Sequence, residues 1–420
     1  MTRRLGCGFV LAVAMASGGL VSVQEHPETI GERLLADAGV TRALEAVRRN
    51  EPAIIEEQMR LCEIEAPPFK EERRAAALKT VFEGLGLTNV RTDSVGNVLG
   101  ERAGAAPQPH LLFTAHLDTV FPEGTKVQTT RVGPIIKGPG ISDDCRGLAV
   151  LVGVIRALNE AGTRTPGTIT FAGTVGEEGL GDLRGVKHLF TQELKGRVDR
   201  FVSVDGAGLG ITHTAVGSRR YRFTFKGPGG HSYSAFGLAN PIHALGRAAA
   251  KISDLQVPSQ PRTTFNVGRI GGGTSVNSIP FEAWMEVDLR SADRAALTAL
   301  DAAVREAMDL AVVEENERWG RPKEIRVEKQ IVGDRPGGQV PATDGIVAAA
   351  VSVTRALGLP VRLDEGSTDS NIPISLGIPA VTIDGGGSSK GSHSLDEQFD
   401  TTDSWQGTAR ALLLALALAR

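Results

Sequence analysis

Several short apolar segments of this chain end in residues that could bind a metal ion, and this pattern constrains the fold more than any other feature. Three such segments are residues 110–115, 168–175 and 200–204. Apolar runs of this length predict strands that are buried on both faces. In open α/β sheets, binding sites lie at the carboxyl ends of the strands. The chain is therefore predicted to be an α/β protein with one site where several strands end.

The residues that follow these segments are histidines and carboxylates. They are His116 and Asp118, Glu177 and Glu178, and Asp205. Residues two apart on a strand point to the same side, so His116 and Asp118 are expected to project together. A carboxylate beside a metal-bound His fixes its tautomer and raises its basicity. The alternatives are a strand-end His beside a capping Asp, and an exposed acidic turn at the two glutamates.

A glycine-rich loop over residues 138–147 contains Asp143 and Asp144 and leads into an apolar helix. Glycine loops at helix N-termini often bind phosphate. This loop lacks the Gly-Lys-Ser/Thr ending of a phosphate-binding loop, and two carboxylates would repel a phosphate. The pair favours a cation instead, while helix capping would account for only one of the two.

The middle of the chain predicts a second, inserted domain. Residues 217–329 follow the order strand, helix, strand, strand, helix, strand, which is typical of an α+β unit. The catalytic domain would then comprise residues 25–216 and 330–420. In its second part, His393 lies in a Gly/Ser-rich loop after an apolar strand, where a packed core histidine is not expected.

The N-terminus resembles a secretory signal. Arg3 and Arg4 precede an apolar stretch that begins at Phe9 and continues into small residues. Residues 1–24 are therefore predicted to be a signal peptide, and the protein to be secreted or periplasmic. A cytoplasmic protein with a misassigned start is the alternative. The rest of the chain contains no run that approaches the ~20 apolar residues of a membrane span.

Composition and cysteine content narrow the remaining classes. With 41% hydrophobic and 23% charged residues, the chain has ordinary soluble globular composition. The net charge of -3 provides no basic face for nucleic acid. Cys7, Cys62 and Cys145 are widely spaced and odd in number, so neither a disulfide framework nor a cysteine zinc site is predicted. Cys145 is expected to be a buried, inert thiol.

Five motifs, in this order, resemble a known family of di-zinc metallopeptidases and deacylases. The family includes carboxypeptidase G, peptidase T, carnosinase, aminoacylase and succinyl-diaminopimelate desuccinylase, and the likeness is greatest to peptidase T-like members. The match extends over most of the chain from about Pro52 onward. The motifs are Thr114-Ala-His-Leu-Asp-Thr119, Gly140-Ile-Ser-Asp-Asp144, Gly176-Glu-Glu-Gly179, Val204-Asp-Gly206 and Gly391-Ser-His-Ser394.

The resemblance implies two divalent metal ions, with zinc expected, and a set of protein ligands. His116 and Asp205 would bind one ion, Glu178 and His393 would bind the other, and Asp143 would bridge both. The peptide bond after the bridging residue would be cis. The fold would be a zinc-exopeptidase-like catalytic domain with a central mixed sheet flanked by helices. The insert would be a lid through which the protein forms a homodimer.

The resemblance also implies catalytic and substrate-binding roles. Glu177 would be the general base, Asp118 would orient a metal-binding His, and His231 of the lid would reach the scissile carbonyl. Asn277 and Arg290 match lid positions that hold the substrate, where Arg290 would pair with a carboxylate. Cys145 departs from the family, because many relatives have Lys at that place.

The expected activity is hydrolysis of amide bonds in small peptides, of the aminopeptidase or dipeptidase type. Asp205 favours this choice, because several deacylases and carboxypeptidases have Glu there. A carboxypeptidase or an N-acyl amino acid deacylase of the same fold is the alternative. A non-catalytic binding relative would have lost Glu177 or a ligand, and none is lost.

Overall fold

The computed structural model of the protein describes residues 30–321 and 324–420. The predicted signal peptide, residues 1–24, lies outside the described residues. Within them, no helix is both long and apolar enough to cross a bilayer.

The described residues form ten α-helices, a short 3-10 helix at Gly179–Gly181 and a π-helix at Leu189–Glu193. The α-helices are α1 Ile30–Ala36, α2 Ala38–Cys62, α3 Glu72–Gly84, α4 Cys145–Glu160, α5 Arg184–His188, α6 Pro241–Ser253, α7 Arg294–Arg318, α8 Gly345–Ala356, α9 Asn371–Ser375 and α10 Trp405–Leu418.

The same residues form nineteen strands. They are β1 Thr88–Thr92, β2 Val98–Arg102, β3 Leu111–His116, β4 Thr130–Val132, β5 Ile135–Lys137, β6 Ile169–Thr174, β7 Arg200–Val204, β8 Gly210–Ala215, β9 Gly217–Lys226, β10 Gly230–His231, β11 Thr263–Gly272, β12 Ser278–Ile279, β13 Glu282–Ser291, β14 Arg326–Arg335, β15 Gly338–Gln339, β16 Arg362–Gly366, β17 Ala380–Ile383, β18 Ser388–Lys390 and β19 Gln398–Asp400.

A nine-stranded mixed sheet forms the centre of the molecule, in the order β1-β2-β6-β3-β7-β17-β8-β15, with β16 beside β8. Its four central strands, β6, β3, β7 and β17, run parallel. Every residue of β3 and β6 is buried, because α3, α4, α8 and α10 pack on the sheet and α2 packs on α4. Burial of these apolar side chains is the main stabilising contribution. The predicted fold class is confirmed.

A second sheet, β11-β13-β9-β14, is antiparallel throughout and lies beneath α6 and α7. Burial alternates along β13, so one face of this sheet packs on the helices. Tyr221, Phe223 and Met285 belong to this separate core. The last strand, β14, runs on to Arg335 and so returns the chain to the central sheet. This sheet, its two helices and the small β10-β12 sheet with the turns beside it are called the lid below.

The two cysteines within the described residues form a disulfide bond, which corrects two expectations. Cys145 is not a free thiol, and a disulfide is present although none was predicted. Cys62 ends α2 and Cys145 begins α4, and these helices pack against each other. Their Cα atoms lie 5.5 Å apart, within the range that a disulfide spans. A separation of 83 residues in sequence gave no sign of this proximity.

Candidate metal centre

The five predicted ligands form two groups, three of them from the carboxyl ends of parallel strands and two from loops. His116 ends β3, Asp205 directly follows β7, and Glu178 follows β6 within a few residues. His116, Asp143 and Asp205 form the first group, and Asp143, Glu178 and His393 form the second. Within each group the potential ligand atoms lie within 4.8 Å of one another. Asp143 belongs to both groups.

Asp143 directs one carboxylate oxygen to each group. Its Oδ1 lies 2.9 Å from His116 Nε2, and its Oδ2 lies 3.0 Å from His393 Nε2. Asp205 Oδ1 is 3.9 Å from the same nitrogen of His116, and Glu178 Oε1 is 3.0 Å from that of His393. A carboxylate can bridge two neighbouring ions in this arrangement.

The chemistry of these side chains fits two divalent cations. Each group offers one imidazole nitrogen and two carboxylates, a donor set that suits zinc and similar ions. Burial, together with the charge of Asp143, raises the pKa of Asp205 well above its ordinary range, against the opposing effect of His116. Hydrogen bonds to Asp143 and Glu178 raise the pKa of His393 to about 10. A cation would neutralise this concentration of buried negative charge.

Asp143 and Asp144 have different roles, although they are adjacent. The peptide bond between them is cis. Asp144 is the N-cap of α4, and its carboxylate accepts hydrogen bonds from the backbone N–H groups of Gly147, His116 and Gly206, at 2.9, 3.0 and 3.2 Å. Capping thus accounts for Asp144, while Asp143 faces the ligand groups. Asp144 also ties the ends of β3 and β7 to the start of α4.

Asp118 contacts both His116 and the segment that contains the two glutamates. The Nδ1 of His116 lies 3.0 Å from the backbone carbonyl oxygen of Asp118, whereas the nearest carboxylate oxygen is 3.7 Å away. If Nδ1 donates to that carbonyl, Nε2 keeps its lone pair for a metal. The buried carboxylate also accepts from the backbone N–H groups of Glu177 and Glu178, at 3.0 and 2.8 Å. Asp118 therefore fixes the segment that contains both glutamates.

Glu177 is paired with Arg335, a residue that the sequence did not single out. Arg335 Nη1 lies 3.0 Å from Glu177 Oε1, and Nη2 donates to the backbone carbonyl of Glu177. Both side chains are buried. Burial raises the pKa of Glu177 to about 8. The positive charge of Arg335 lowers this pKa, and the negative charge of Glu178 raises it further. Arg335 ends β14, outside any recognisable motif, so only the course of that strand reveals its role.

Glu397 is a second residue whose role the sequence did not reveal. Its buried carboxylate accepts from the backbone N–H groups of Gly140, Ser142 and Asp143, at 3.0, 2.9 and 3.3 Å, and from the Ser142 hydroxyl. Burial raises its pKa against these hydrogen bonds. Because Glu397 closely follows His393, it joins the loop with the histidine to the loop with the shared aspartate.

The three predicted lid residues are not joined to this centre. His231 is exposed on β10, and its Nδ1 accepts from the backbone N–H groups of Tyr233 and Ser234. Asn277 lies beside it, since its carbonyl accepts from Ser232. Arg290 Nε donates to Asp288 at 2.6 Å. Among the described residues, no hydrogen bond links these three to the candidate metal ligands.

A family model described as "Peptidase family M20/M25/M40" matches residues 112–417. The chain belongs to this peptidase family. The resemblance inferred from the five motifs is thereby confirmed. Carboxypeptidase G2 of Pseudomonas sp. (strain RS-16) is 28% identical over 357 residues, which cover 80% of this chain and 82% of that protein.

Two solved structures illustrate the similarity of fold. A tripeptidase from Staphylococcus aureus has 23% identity and a TM-score of 0.72, covering 88% of this chain and 99% of its own. The YxeP protein of Bacillus subtilis, described as a dinuclear metal binding peptidase, has 18% identity and a TM-score of 0.65, covering 89% and 99%.

Proposed function

We propose that this protein is a di-metal exopeptidase of the aminopeptidase or dipeptidase type that hydrolyses small peptides, with zinc as the metal. The observation that best supports the proposal is the position of Asp143, which lies between two histidine-containing ligand groups. Glu177 adjoins the second group through Glu178 and is positioned by Asp118 and Arg335. A carboxylate held beside a di-metal centre is suited to general-base catalysis.

Two divalent ions bound at these residues would lower the pKa of a water molecule to ~7 and polarise the scissile carbonyl. The chain's own residues supply the proton transfers. Glu177 takes the proton from the attacking water and returns it to the leaving amine. Asp118 holds the backbone of the base and of the adjacent ligand Glu178, because its carboxylate accepts hydrogen bonds from both N–H groups. Arg335 restrains the carboxylate of the base, which it contacts through Nη1.

The lid residues contribute to substrate binding in this proposal. His231 would stabilise the oxyanion, and Asn277 and Arg290 would hold the substrate, after the lid approaches the centre. The homodimer is proposed to form through the lid, because its sheet has edge strands at β11 and β14 with exposed Ile270 and Ile331. Sedimentation of Ile270→Lys and Ile331→Lys tests this, and wild type that sediments as a monomer would refute it.

A carboxypeptidase is the second candidate. Carboxypeptidase G2 is a relative over most of the chain. In addition, Arg262 and Arg290 line a cavity of about 180 Å³ beside Glu365 of the catalytic domain, and guanidinium groups suit a terminal carboxylate. A panel of free, N-blocked and C-blocked dipeptides and N-acyl amino acids separates these activities. Hydrolysis only of substrates with a blocked amine would overturn the aminopeptidase choice.

We propose a secreted or periplasmic location. The signal-like N-terminus supports it, as does the disulfide between Cys62 and Cys145, because disulfides persist in oxidising compartments. Cell fractionation with N-terminal sequencing of the mature protein tests the location. Intact protein in the cytoplasm would refute it.

Glu177→Gln is the sharpest test of the mechanism. We expect turnover to fall by about 10²–10⁴-fold while bound metal stays near two ions per chain, because the proposed ligand set does not include Glu177. Glu315→Gln is a matched control, since Glu315 is also buried and paired with an arginine, Arg247, within the lid. Unchanged activity in Glu177→Gln would refute the assignment of the base. Full activity after prolonged chelation would refute metal dependence.

A further inference from the structure

The disulfide is close in sequence to Asp143, the residue that belongs to both ligand groups of the metal centre. Cys145 is the residue after Asp144 and the second after Asp143, and Cys62 is the last residue of α2. Both cysteines are fully buried. Their neighbours are apolar and include Ile141 and Phe399. The covalent link therefore joins the first turn of α4 to the end of α2 in a region that water does not reach.

The same end of α2 is connected to the histidine segment. The backbone carbonyl of Cys62 accepts from Arg74 Nη2 at 3.2 Å, and Nη1 of this fully buried arginine donates to the carbonyl of Leu117 at 2.8 Å. Leu117 lies between His116 and Asp118. The hydrogen bonds of Arg74 and the disulfide thus connect the segment of the histidine ligand to the start of α4.

Non-covalent contacts on the loop reinforce this path. Gln58, one turn before the end of α2, donates to the carbonyl of Ile141 at 2.7 Å. The backbone N–H of Cys145 donates to the carbonyl of Gly140 at 3.2 Å, and the carboxylate of Glu397 accepts from the loop. The loop with Asp143 is thus held by both Glu397 and the end of α2. The disulfide is the only covalent cross-link that the described residues form here.

We propose that the Cys62–Cys145 disulfide is a positioning element of the metal centre, one that fixes Asp143 so that its two oxygens face the two ligand groups. The proposal rests on the di-metal site of the proposed function and adds that tight metal binding requires the oxidised protein. Reduced protein would bind two ions only weakly. It would become tightly binding after thiol–disulfide exchange with a small-molecule disulfide, which forms the Cys62–Cys145 bond and leaves as two thiols.

The test measures zinc binding directly, by competition with a chromophoric chelator, in the full chain. In the double variant Cys62→Ala/Cys145→Ala we expect the zinc dissociation constant of at least one site to rise by about 10–100-fold, the effect typical of residues that orient ligands. Catalytic turnover should recover at saturating zinc, with KM unchanged. Val353→Ala, in the buried face of α8, is the control for lost core stability.

A disulfide with a purely structural role predicts a different result. Both variants would then unfold at lower denaturant concentration, while both would keep wild-type zinc affinity, and this outcome overturns the inference. If wild type itself fails to bind two ions, the proposed function fails instead. The two failures are therefore distinguishable without an activity assay.

Reduction of the wild type provides a second route if the double variant does not fold. A phosphine breaks the S–S bond with one water molecule, giving two thiols and the phosphine oxide. Partial unfolding during treatment would expose the buried sulfurs, and refolding under reductant should give protein with weakened zinc affinity. Exchange with a small-molecule disulfide, which re-forms the bond and leaves as two thiols, should restore the affinity. As a control, wild-type protein is denatured without reductant and alkylated. Alkylation at Cys62 and Cys145 would show that both are free thiols and would overturn the inference.

Discussion

Replacement of Asp118 by Asn isolates the contact that holds the two glutamates. The buried carboxylate accepts one hydrogen bond from the N–H of Glu177 and one from that of Glu178. Asn is isosteric but retains one acceptor oxygen, so one of the two bonds is lost. Hydrogen bonds to a charged acceptor contribute about 1.5–3 kcal/mol. At about 1.4 kcal/mol per factor of ten, the loss corresponds to about 10–150-fold.

We expect this loss in two measurements. The dissociation constant of one metal should rise by up to that factor, because Glu178 is less firmly placed. Turnover at saturating metal should also fall, because Glu177 is less firmly placed. His116→Ala provides the comparison: it removes a ligand, so bound metal should fall toward one ion per chain. Chelator competition with metal analysis measures the first effect, and steady-state kinetics measures the second.

Asp93→Asn is the matched control for Asp118→Asn. The Asp93 side chain is also fully buried, and it accepts from the backbone N–H groups of Val95, Gly96 and Asn97 in the turn between β1 and β2. It should lower stability without changing metal affinity. If Asp118→Asn and Asp93→Asn have the same metal affinity and turnover, Asp118 does not hold the glutamates and the reasoning is wrong.

Two further substitutions test buried carboxylates near the centre. Burial disfavours the charged form of Asp369 and raises its pKa from 3.8 to about 6. The contribution of Asp369 to the free energy of unfolding is therefore complete below pH 3.8 and is lost as pH rises through 6. Asp369→Asn should therefore stabilise the metal-free protein by up to about 3 kcal/mol at pH 7 and by little at pH 4. Denaturant unfolding measures both values, and an equal increase in the free energy of unfolding at pH 7 and pH 4 would contradict this. Glu397→Gln should weaken zinc binding by about tenfold or more with KM unchanged, because the loop of Asp143 loses a charged acceptor; zinc titration that matches wild type would refute the role.

The sequence was most informative where chemistry and secondary structure coincide. Buried strands can be recognised from apolar runs, and ligands at their ends share one edge because parallel strands end together. His116, Glu178 and Asp205 were identified in this way. His393 and Asp143 were identified because both lie in glycine-rich loops, where packed core residues are not expected. The five motifs then assigned these residues to their two groups by resemblance.

The supporting contacts could not be found in this way. Arg335 lies far along the chain from Glu177, and no local pattern relates the two. Glu397 is likewise far along the chain from the loop that it binds, and no local pattern relates the two. The sequence also placed Asp118 next to His116 without indicating that its carboxylate turns to the glutamates. Long-range polar contacts depend on packing, which leaves no periodic signal in the sequence.

By itself, the sequence determined the fold class and which side chains could bind the metals, because hydrophobic periodicity and ligand chemistry are local properties. Only the tertiary structure decided how those side chains are held. It pairs Cys62 with Cys145, directs Asp118 to the backbone of the glutamates and brings Arg335 to Glu177. Each of these contacts joins elements that are distant in the chain, so each exists only once the helices and sheets have packed.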